Sequence, residues 1–225
     1  MSERRLSTTS FALLGLLALK PWNAYDLSQQ GHRSIGRFWP RADSNLYEAA
    51  KSLVDHGLAR ASREFVGRRP RTVYSITPAG RKALAGWVPE SGKGPVTEFE
   101  GLLKVFFAEH GTRRDLLAHL EEHRASAEQR LEELRVIAER YAEGQVPFPE
   151  RLAQNSLVFR FGWQQQEQLL RWAEEAIEEV ESWPDDPADW PRDPAACLLI
   201  TQEPPPIQPG VRSAAARSKT ARRSV

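Results

Sequence analysis

The sequence predicts a mainly α fold with one small β-hairpin, built as a compact head followed by an antiparallel helical half, and three observations predict it. Apolar residues recur at three- and four-residue spacing along most of the chain, the mark of helices that bury one face. Only residues 58–65 and 72–76 depart from that period, as two neighbouring runs with enough β-branched and aromatic side chains to pair as a hairpin. Charge is also segregated. Residues 1–90 carry 14 Lys/Arg against 7 Asp/Glu, residues 91–183 carry 11 against 18, and residues 184–225 carry 6 against 5. The formal net charge of +1 over 225 residues therefore hides a basic head on an acidic body. That asymmetry suits a polyanion-binding module joined to a partner-binding module, although charge alone does not separate nucleic acid from an anionic membrane surface.

The elements follow in order. Thr8 or Thr9 caps a first helix that runs to about residue 18, with Phe11, Leu14, Leu17 and Ala18 as its buried stripe, and Lys20-Pro21 ends it. A second helix, from residue 24 to about residue 30, carries Tyr25 and Leu27 inward and stops at Gly31. A loop with Phe38, Trp39 and Pro40 leads to the third helix. There Leu46, Ala50, Leu53 and Val54 bury one side, Asp43 or Ser44 caps the start, and Gly57 closes the end. At about 100° per residue, Ser44, Tyr47 and Lys51 share the opposite side, free to touch a partner.

The hairpin joins its strands through Val66-Gly67-Arg68-Arg69-Pro70-Arg71. Arginines clustered at a tip repel one another unless an anion arrives, and guanidinium forks match phosphate oxygens. Thr77 then caps a fourth helix with Pro78 at its first position, where a missing N–H costs nothing, and Leu84, Trp87 and Val88 continue it. Residues 91–95 are small and breaker-rich. The head accordingly spans residues 1–90.

Residues 91–183 read as a helical domain. One helix spans residues 98–110 with Leu102, Leu103, Phe106 and Phe107 on its apolar side, and Thr112 caps a long one through Tyr141. The long helix has a stripe of Leu116, Leu120, Ala127, Leu131, Leu134, Ala138 and Tyr141. A last helix, residues 150–182, presents Leu157, Phe161, Leu169, Trp172, Ala176, Val180 and Trp183. Three helices are too few to bury such stripes, so a second copy of the chain is expected to cover them, making a homodimer through residues 91–183. Residues 184–225 turn Pro-rich and then basic, lose periodicity, and are expected to be largely disordered.

A single cysteine, Cys197, excludes an internal disulfide and a cysteine-based zinc cage, which fits a reducing cytoplasm. No apolar run reaches the roughly 20 residues that span a bilayer, and no membrane association is expected. Residues 1–19 imitate an export signal, with Arg4-Arg5 ahead of an apolar run, yet they lack a small-residue cleavage site. The run His119-Leu120-Glu121-Glu122-His123 has the H-x-x-E-H form of inverted zinc proteases. No partner motif for a third ligand accompanies it, and the expectation is no enzyme and no cofactor or metal.

A helix followed by a basic hairpin is the winged form of a helix-turn-helix. Trp39-Pro40, Leu46-Tyr47, Asp55-His56-Gly57-Leu58 and above all Val73-Tyr74-Ser75-Ile76-Thr77-Pro78-Ala79-Gly80, in this order, resemble the PadR family of transcriptional regulators. Phe161-Gly162 followed by Trp172 is similar to the last helix of its longer members. The resemblance covers about residues 8–183. It departs at Asn23-Ala24-Tyr25, where the family commonly has His-Gly-Tyr.

The resemblance implies a sequence-specific regulator, a repressor acting as a homodimer on a near-palindromic operator and relieved by a small-molecule effector. Trp39, Trp87, Trp163 and Trp172 are candidates to line an effector pocket, although aromatic stripes at helical spacing are ordinarily core. The side chains expected on duplex DNA are Ser44, Asn45, Tyr47 and Lys51 on the third helix, Arg41 from the loop before it, and Arg68, Arg69 and Arg71 on the wing. The alternative is a winged-helix module that binds protein without specific DNA binding.

Overall fold

The structure, a computed structural model, describes residues 6–36, 38–39, 43–67 and 69–196. In chain order it holds α1 (Thr8–Leu19), β1 (Trp22–Asn23), α2 (Ala24–Ser34), α3 (Asp43–Asp55), β2 (Ala59–Val66), β3 (Arg69–Ile76), α4 (Pro78–Trp87), α5 (Glu100–Phe106), α6 (Arg113–Ala142) and α7 (Leu152–Glu181). Single 3-10 turns occupy Ala108–His110, Pro149–Arg151 and Pro187–Asp189. The mainly helical fold with one small sheet is thus present, and the sheet has a third strand that the sequence did not reveal. β1, only two residues long, pairs antiparallel with β3 (Trp22 opposite Tyr74), giving the order β1-β3-β2.

The chain divides into two compact units, Met1–Glu100 with His123–Trp172, and Gly101–Glu122 with Ala173–Val225. The first is centred on α1, which carries no charged residue and is buried on more than one side. Leu13, Leu14, Leu16 and Leu17 pack with Leu27, Leu46, Ala49, Ala50, Leu53 and Ala59 into one core. Each fully buried leucine contributes about 2 kcal/mol of transfer free energy, so this helix anchors the head. Its N-cap is Ser7, whose hydroxyl accepts from the Ser10 N–H, rather than Thr8 or Thr9. Trp22 is 8% exposed and donates its indole N–H to the Leu16 carbonyl at 2.8 Å, so the one polar atom of the ring is satisfied inside the core. Phe148 meets the Trp22 ring edge-on at 6.4 Å. The head core is therefore completed by a residue far beyond position 90.

α2 runs past Gly31 to Ser34, four residues beyond the expected end. Gly31 is buried within the helix, where a Cβ would lie 3.3 Å from Leu46 Cδ1. It serves close approach of α2 to α3, not termination. Tyr25, expected inward, is instead 66% exposed.

The end of α3 is joined to the start of α4 through Gly57, Thr77 and Gly80. Gly57, at φ 68°, makes the left-handed turn that ends α3. Thr77 accepts from the Gly80 N–H at 3.0 Å and donates to the Gly57 carbonyl at 2.8 Å. Gly80 packs so closely that an added Cβ would sit 2.1 Å from the Leu58 carbonyl oxygen. The Thr-Pro-Ala-Gly sequence is thus a lock between the wing and α3.

In the remaining helices Leu116, Leu120, Ala127, Leu134, Ala173 and Val180 are buried. Ala138, placed on the buried stripe by sequence, is exposed, and Ile137 is half-buried instead. α5 is shorter than expected, and Leu102, Leu103, Phe106 and Phe107 are exposed, as are Leu157 and Phe161 of α7. In the second unit, Arg113 donates to the carbonyls of Glu181 and Trp183, at 2.9 and 3.0 Å, and pairs with Asp185 at 2.7 Å. It caps the end of α7. Trp183 and Trp190 pack 5.1 Å apart around the turn at Pro187–Asp189. This contact reaches into the stretch that the sequence leaves without periodicity. Residues 197–225 lie outside the described residues.

Candidate nucleic-acid interface

The wing and α3 place the expected side chains as follows. Leu46, Ala49, Ala50 and Leu53 turn one side of α3 into the core. The helical period then forces Ser44, Asn45, Tyr47 and Lys51 outward, and all four are exposed, Tyr47 at 41%. On the hairpin, β2 and β3 pair in register from Ala59 opposite Ile76 to Val66 opposite Arg69, and Gly67 turns at φ 62°. Arg69 and Arg71 are exposed. Arg41 and Arg68 lie outside the described residues.

Paired positions of an antiparallel ladder share a face, so the register also sorts the wing's charges. Arg60, Glu64, Arg69 and Arg71 fall on one face. Arg63 and Phe65 fall on the other, with the Arg63 guanidinium 5.7 Å from the Phe65 ring. Arg71 is tied to Glu64 at 3.0 Å. Sequence reasoning placed the cations at the tip and missed Arg60 and Arg63, both exposed. Two-residue alternation counted from buried Ala59 turns Arg60 outward, but places Arg63 on the same face as Ala59, so periodicity alone gives only the first.

The start of α3 holds an arrangement that spacing alone did not suggest. Asp43 Oδ1 accepts from the Ser28 hydroxyl and lies 2.9 Å from His32 Nε2, both on α2. Ser28 is 4% exposed, whereas the side chains of His32 and Asp43 are 40% and 62% exposed. The Ser28 hydroxyl first, and then the His32 ring, hold the Asp43 carboxyl below its ordinary range.

The four tryptophans do not form one group. Trp39 donates to Thr9 Oγ1 at 3.3 Å, and Trp87 stacks on Phe11 with centroids 5.0 Å apart and planes 4° from parallel. Thr9 and Phe11 are two residues apart on α1, roughly 200° around the helix, so these rings address different sides of it. Trp172 lies with Phe99 and His123, at 6.1 and 6.5 Å. An open groove of 680 Å³ sits instead where α3 ends, lined by Val54, Ala59, Arg60 and Pro78 among others, and no tryptophan borders it. The His123 ring meets Phe99 edge-on at 4.8 Å. Among the described residues no three His, Cys, Asp or Glu side chains come together as a metal site. No helix of the described residues is long and apolar enough to cross a membrane.

Helices packed on a three-stranded wing, with an outward polar face on α3, define a winged helix-turn-helix protein. Comparison with known sequences gives the family. Residues 13–86 match the transcriptional regulator PadR-like family, and residues 100–181 match the virulence activator alpha C-terminal region. Residues 13–86 thus carry a PadR-like transcriptional regulator domain.

The chain is 28% identical over 99 residues to the negative transcriptional regulator PadR of Bacillus subtilis, covering 43% of this chain and 54% of that protein. It is 31% identical over 80 residues to a transcriptional regulator of Mycobacterium tuberculosis, covering 35% of this chain and 42% of that one. The matches thus span about half the length of these curated relatives. Among solved structures, Bacillus subtilis PadR in complex with operator DNA superposes with a TM-score of 0.69 at 20% identity, over 77% of this chain and 99% of that one. The Vibrio cholerae virulence activator AphA gives 0.59 at 23% identity, over 78% and 99%. Both likenesses establish the shared fold.

Proposed function

We propose that this chain is a DNA-binding transcriptional repressor that works as a homodimer on a near-palindromic operator in the cytoplasm. The observation that carries the reading is the exposed row of Ser44, Asn45, Tyr47 and Lys51 on α3, beside a wing bearing exposed Arg60, Arg63, Arg69 and Arg71. An α-helix fits the major groove. Asn can take adenine with two hydrogen bonds, and arginines on a wing meet backbone phosphates or the negative potential of a narrow minor groove. Arg41 and Arg68 are assigned to the same surface by their sequence positions.

One head of this size binds weakly and mostly without sequence preference, so affinity has to come from two. Leu102, Leu103 and Phe106 of α5, Phe107 just after it, and Leu157, Val158 and Phe161 of α7 are exposed in the single chain, with Phe106 at 74%. These apolar rows support pairing of two copies through residues 91–183. The two α3 helices would then enter major grooves roughly 34–36 Å apart.

Bacillus subtilis PadR has been solved both on operator DNA and with p-coumaric acid. By analogy, a small-molecule effector that shifts the head spacing would relieve repression here, with Trp39 and Trp87 on the head, or Trp163 and Trp172 on α7, as candidate contacts. The reading assigns no catalysis, and the His123 ring of the H-x-x-E-H run lies edge-on against Phe99. It prefers DNA to a protein partner because the head's cations stand exposed on its wing.

The test is a mobility-shift assay against the DNA upstream of its own coding sequence, with unrelated competitor, alongside sedimentation of the free protein. A dimer that prefers its own upstream DNA and loses affinity with salt is expected. A monomer, or binding that competitor abolishes equally, would overturn the proposal.

A further inference from the structure

Phe65 is 64% exposed near the tip of the wing, although a phenyl ring gains more than most side chains from leaving water. The ladder fixes its direction. Phe65 opposes Pro70, and two-residue alternation sets both on the face that also carries Arg63, Tyr74, Ala59 and Ile76. Ala59 is buried in the core with Leu46 and Leu53 of α3, and Tyr74 and Ile76 pack against that core. The ring therefore projects from the sheet face that packs toward α3. Phe65 is the seventh of the eight residues of β2, so it stands about 20 Å beyond Ala59 at the rise of a strand.

The ring's neighbours are cationic. The Arg63 guanidinium lies 5.7 Å from its centroid, and Arg69 is exposed on the neighbouring strand. The hairpin's one carboxylate, Glu64, sits on the opposite face and is tied to Arg71 at 3.0 Å. An apolar pocket on another protein would take the phenyl and leave those cations without counter-charge. A duplex minor groove answers to both. Phosphates along its walls meet the arginines, and the stacked steps at its floor admit an apolar side chain between them.

We propose that Phe65 is an apolar wedge that enters the minor groove beside the α3 site, partly opens a base step there and bends the duplex. The inference rests on the reading of α3 as the DNA-facing helix. It adds a second kind of recognition, in which sequence is read as ease of deformation and no base edge is hydrogen-bonded. Pyrimidine–purine steps such as TA and CA unstack most readily, so a site flanked by them is favoured over one with stiffer flanks. A dimer carries two such wedges, one on each head.

The experiment uses the full-length protein and the duplex that it protects within the DNA upstream of its coding sequence, synthesised with TA steps or with GG steps where the wing lies. Energy transfer between fluorophores on the two ends reads the bend. Wild type is expected to draw the ends together and to bind the TA version roughly tenfold more tightly than the GG version. Phe65→Ala is expected to leave the duplex nearly straight and to bind both versions alike. Its slope of log affinity against log salt should match wild type, because the variant removes no phosphate contact. Phe65→Leu keeps an apolar wedge and is expected to retain the bend and the preference. Circular dichroism confirms that both variants are folded.

A duplex that wild type leaves straight, a Phe65→Ala variant that bends and discriminates like wild type, or a flattened salt slope in that variant would each overturn the inference and leave the α3 reading standing. Dissociation of the free dimer by Phe65→Ala, seen in sedimentation, would do the same by giving the ring to a protein contact. Absence of salt-sensitive binding to any duplex would remove both readings.

Discussion

Arg71 and Glu64 occupy opposed positions of the wing, and the guanidinium lies 3.0 Å from the carboxylate. A wing residue expected on phosphate is thus held in a neutral pair on its own hairpin, with both side chains about half-exposed. Exposed pairs of this kind contribute less than about 1 kcal/mol, so phosphate can compete for the arginine. Glu64→Ala is expected to tighten DNA binding severalfold and to steepen the slope of log affinity against log salt by about one, with little change in unfolding free energy. Weaker binding would mean that the pair serves the wing's shape and not its charge.

Arg68→Ala combined with Arg69→Ala should act in the opposite direction. Each phosphate contact contributes about 0.9 to the salt slope, so the double variant is expected to weaken binding to all DNA alike and flatten the slope by nearly two. A salt titration on operator and unrelated duplexes checks this, and an unchanged slope would take the tip off the DNA.

Gly80→Ala is expected to destabilise the protein by about 3 kcal/mol or more. The new methyl would meet the Leu58 carbonyl oxygen at 2.1 Å and Ile76 Cγ1 at 2.9 Å, and a backbone carbonyl has no free rotamer with which to yield. Denaturant unfolding reads the loss directly. A change below about 1 kcal/mol would show that the start of α4 shifts easily.

Phe106→Glu with Phe161→Glu places charge in both exposed apolar rows. If those rows face a second copy, the dimer dissociation constant should rise at least about a hundredfold, because a carboxylate buried at an interface is unpaired. Sedimentation equilibrium measures it, and helical content should be retained.

Thr112 and Asp115 form a reciprocal cap at the start of α6. The Asp115 carboxylate accepts from the Thr112 hydroxyl at 2.6 Å and the Thr112 N–H at 3.0 Å, while Thr112 Oγ1 accepts from the Asp115 N–H at 3.2 Å. The Thr112 hydroxyl, then its backbone N–H, draw the carboxyl below the usual carboxylate range. A group whose folded value is depressed contributes stability that is present above its ordinary value and lost as pH falls through the folded one. Asp115→Asn should therefore lower the unfolding midpoint near neutral pH, and the difference from wild type should shrink once pH falls below the ordinary aspartate range and through the depressed folded value.

Much of the head was legible because its punctuation is local. Gly57, Thr77 and Pro78 each have a conformational or capping role that sequence states directly, and the outward face of α3 follows from period alone. Gly31 misled, because the same residue type ends helices and lets them touch, and only the presence of Leu46 decides which. Tyr25 misled for a related reason, since an aromatic ring at a helix start does not say which way it points. The tie from Asp43 to Ser28 and His32 spans a loop and leaves no spacing signature. In α7, Leu157 and Phe161 were rightly counted as an apolar stripe, but periodicity does not say whether the cover comes from the same chain.

Phe148 closing over Trp22 sets an order on biosynthesis. The ribosome must deliver more than half of the polypeptide before the indole gains its last wall, so a nascent head carries an unsealed edge while α5 and α6 are still being made. In a variant that keeps Trp22 as its one tryptophan, emission should shift to the blue as that wall arrives, giving a spectroscopic clock for the sealing of the newborn head.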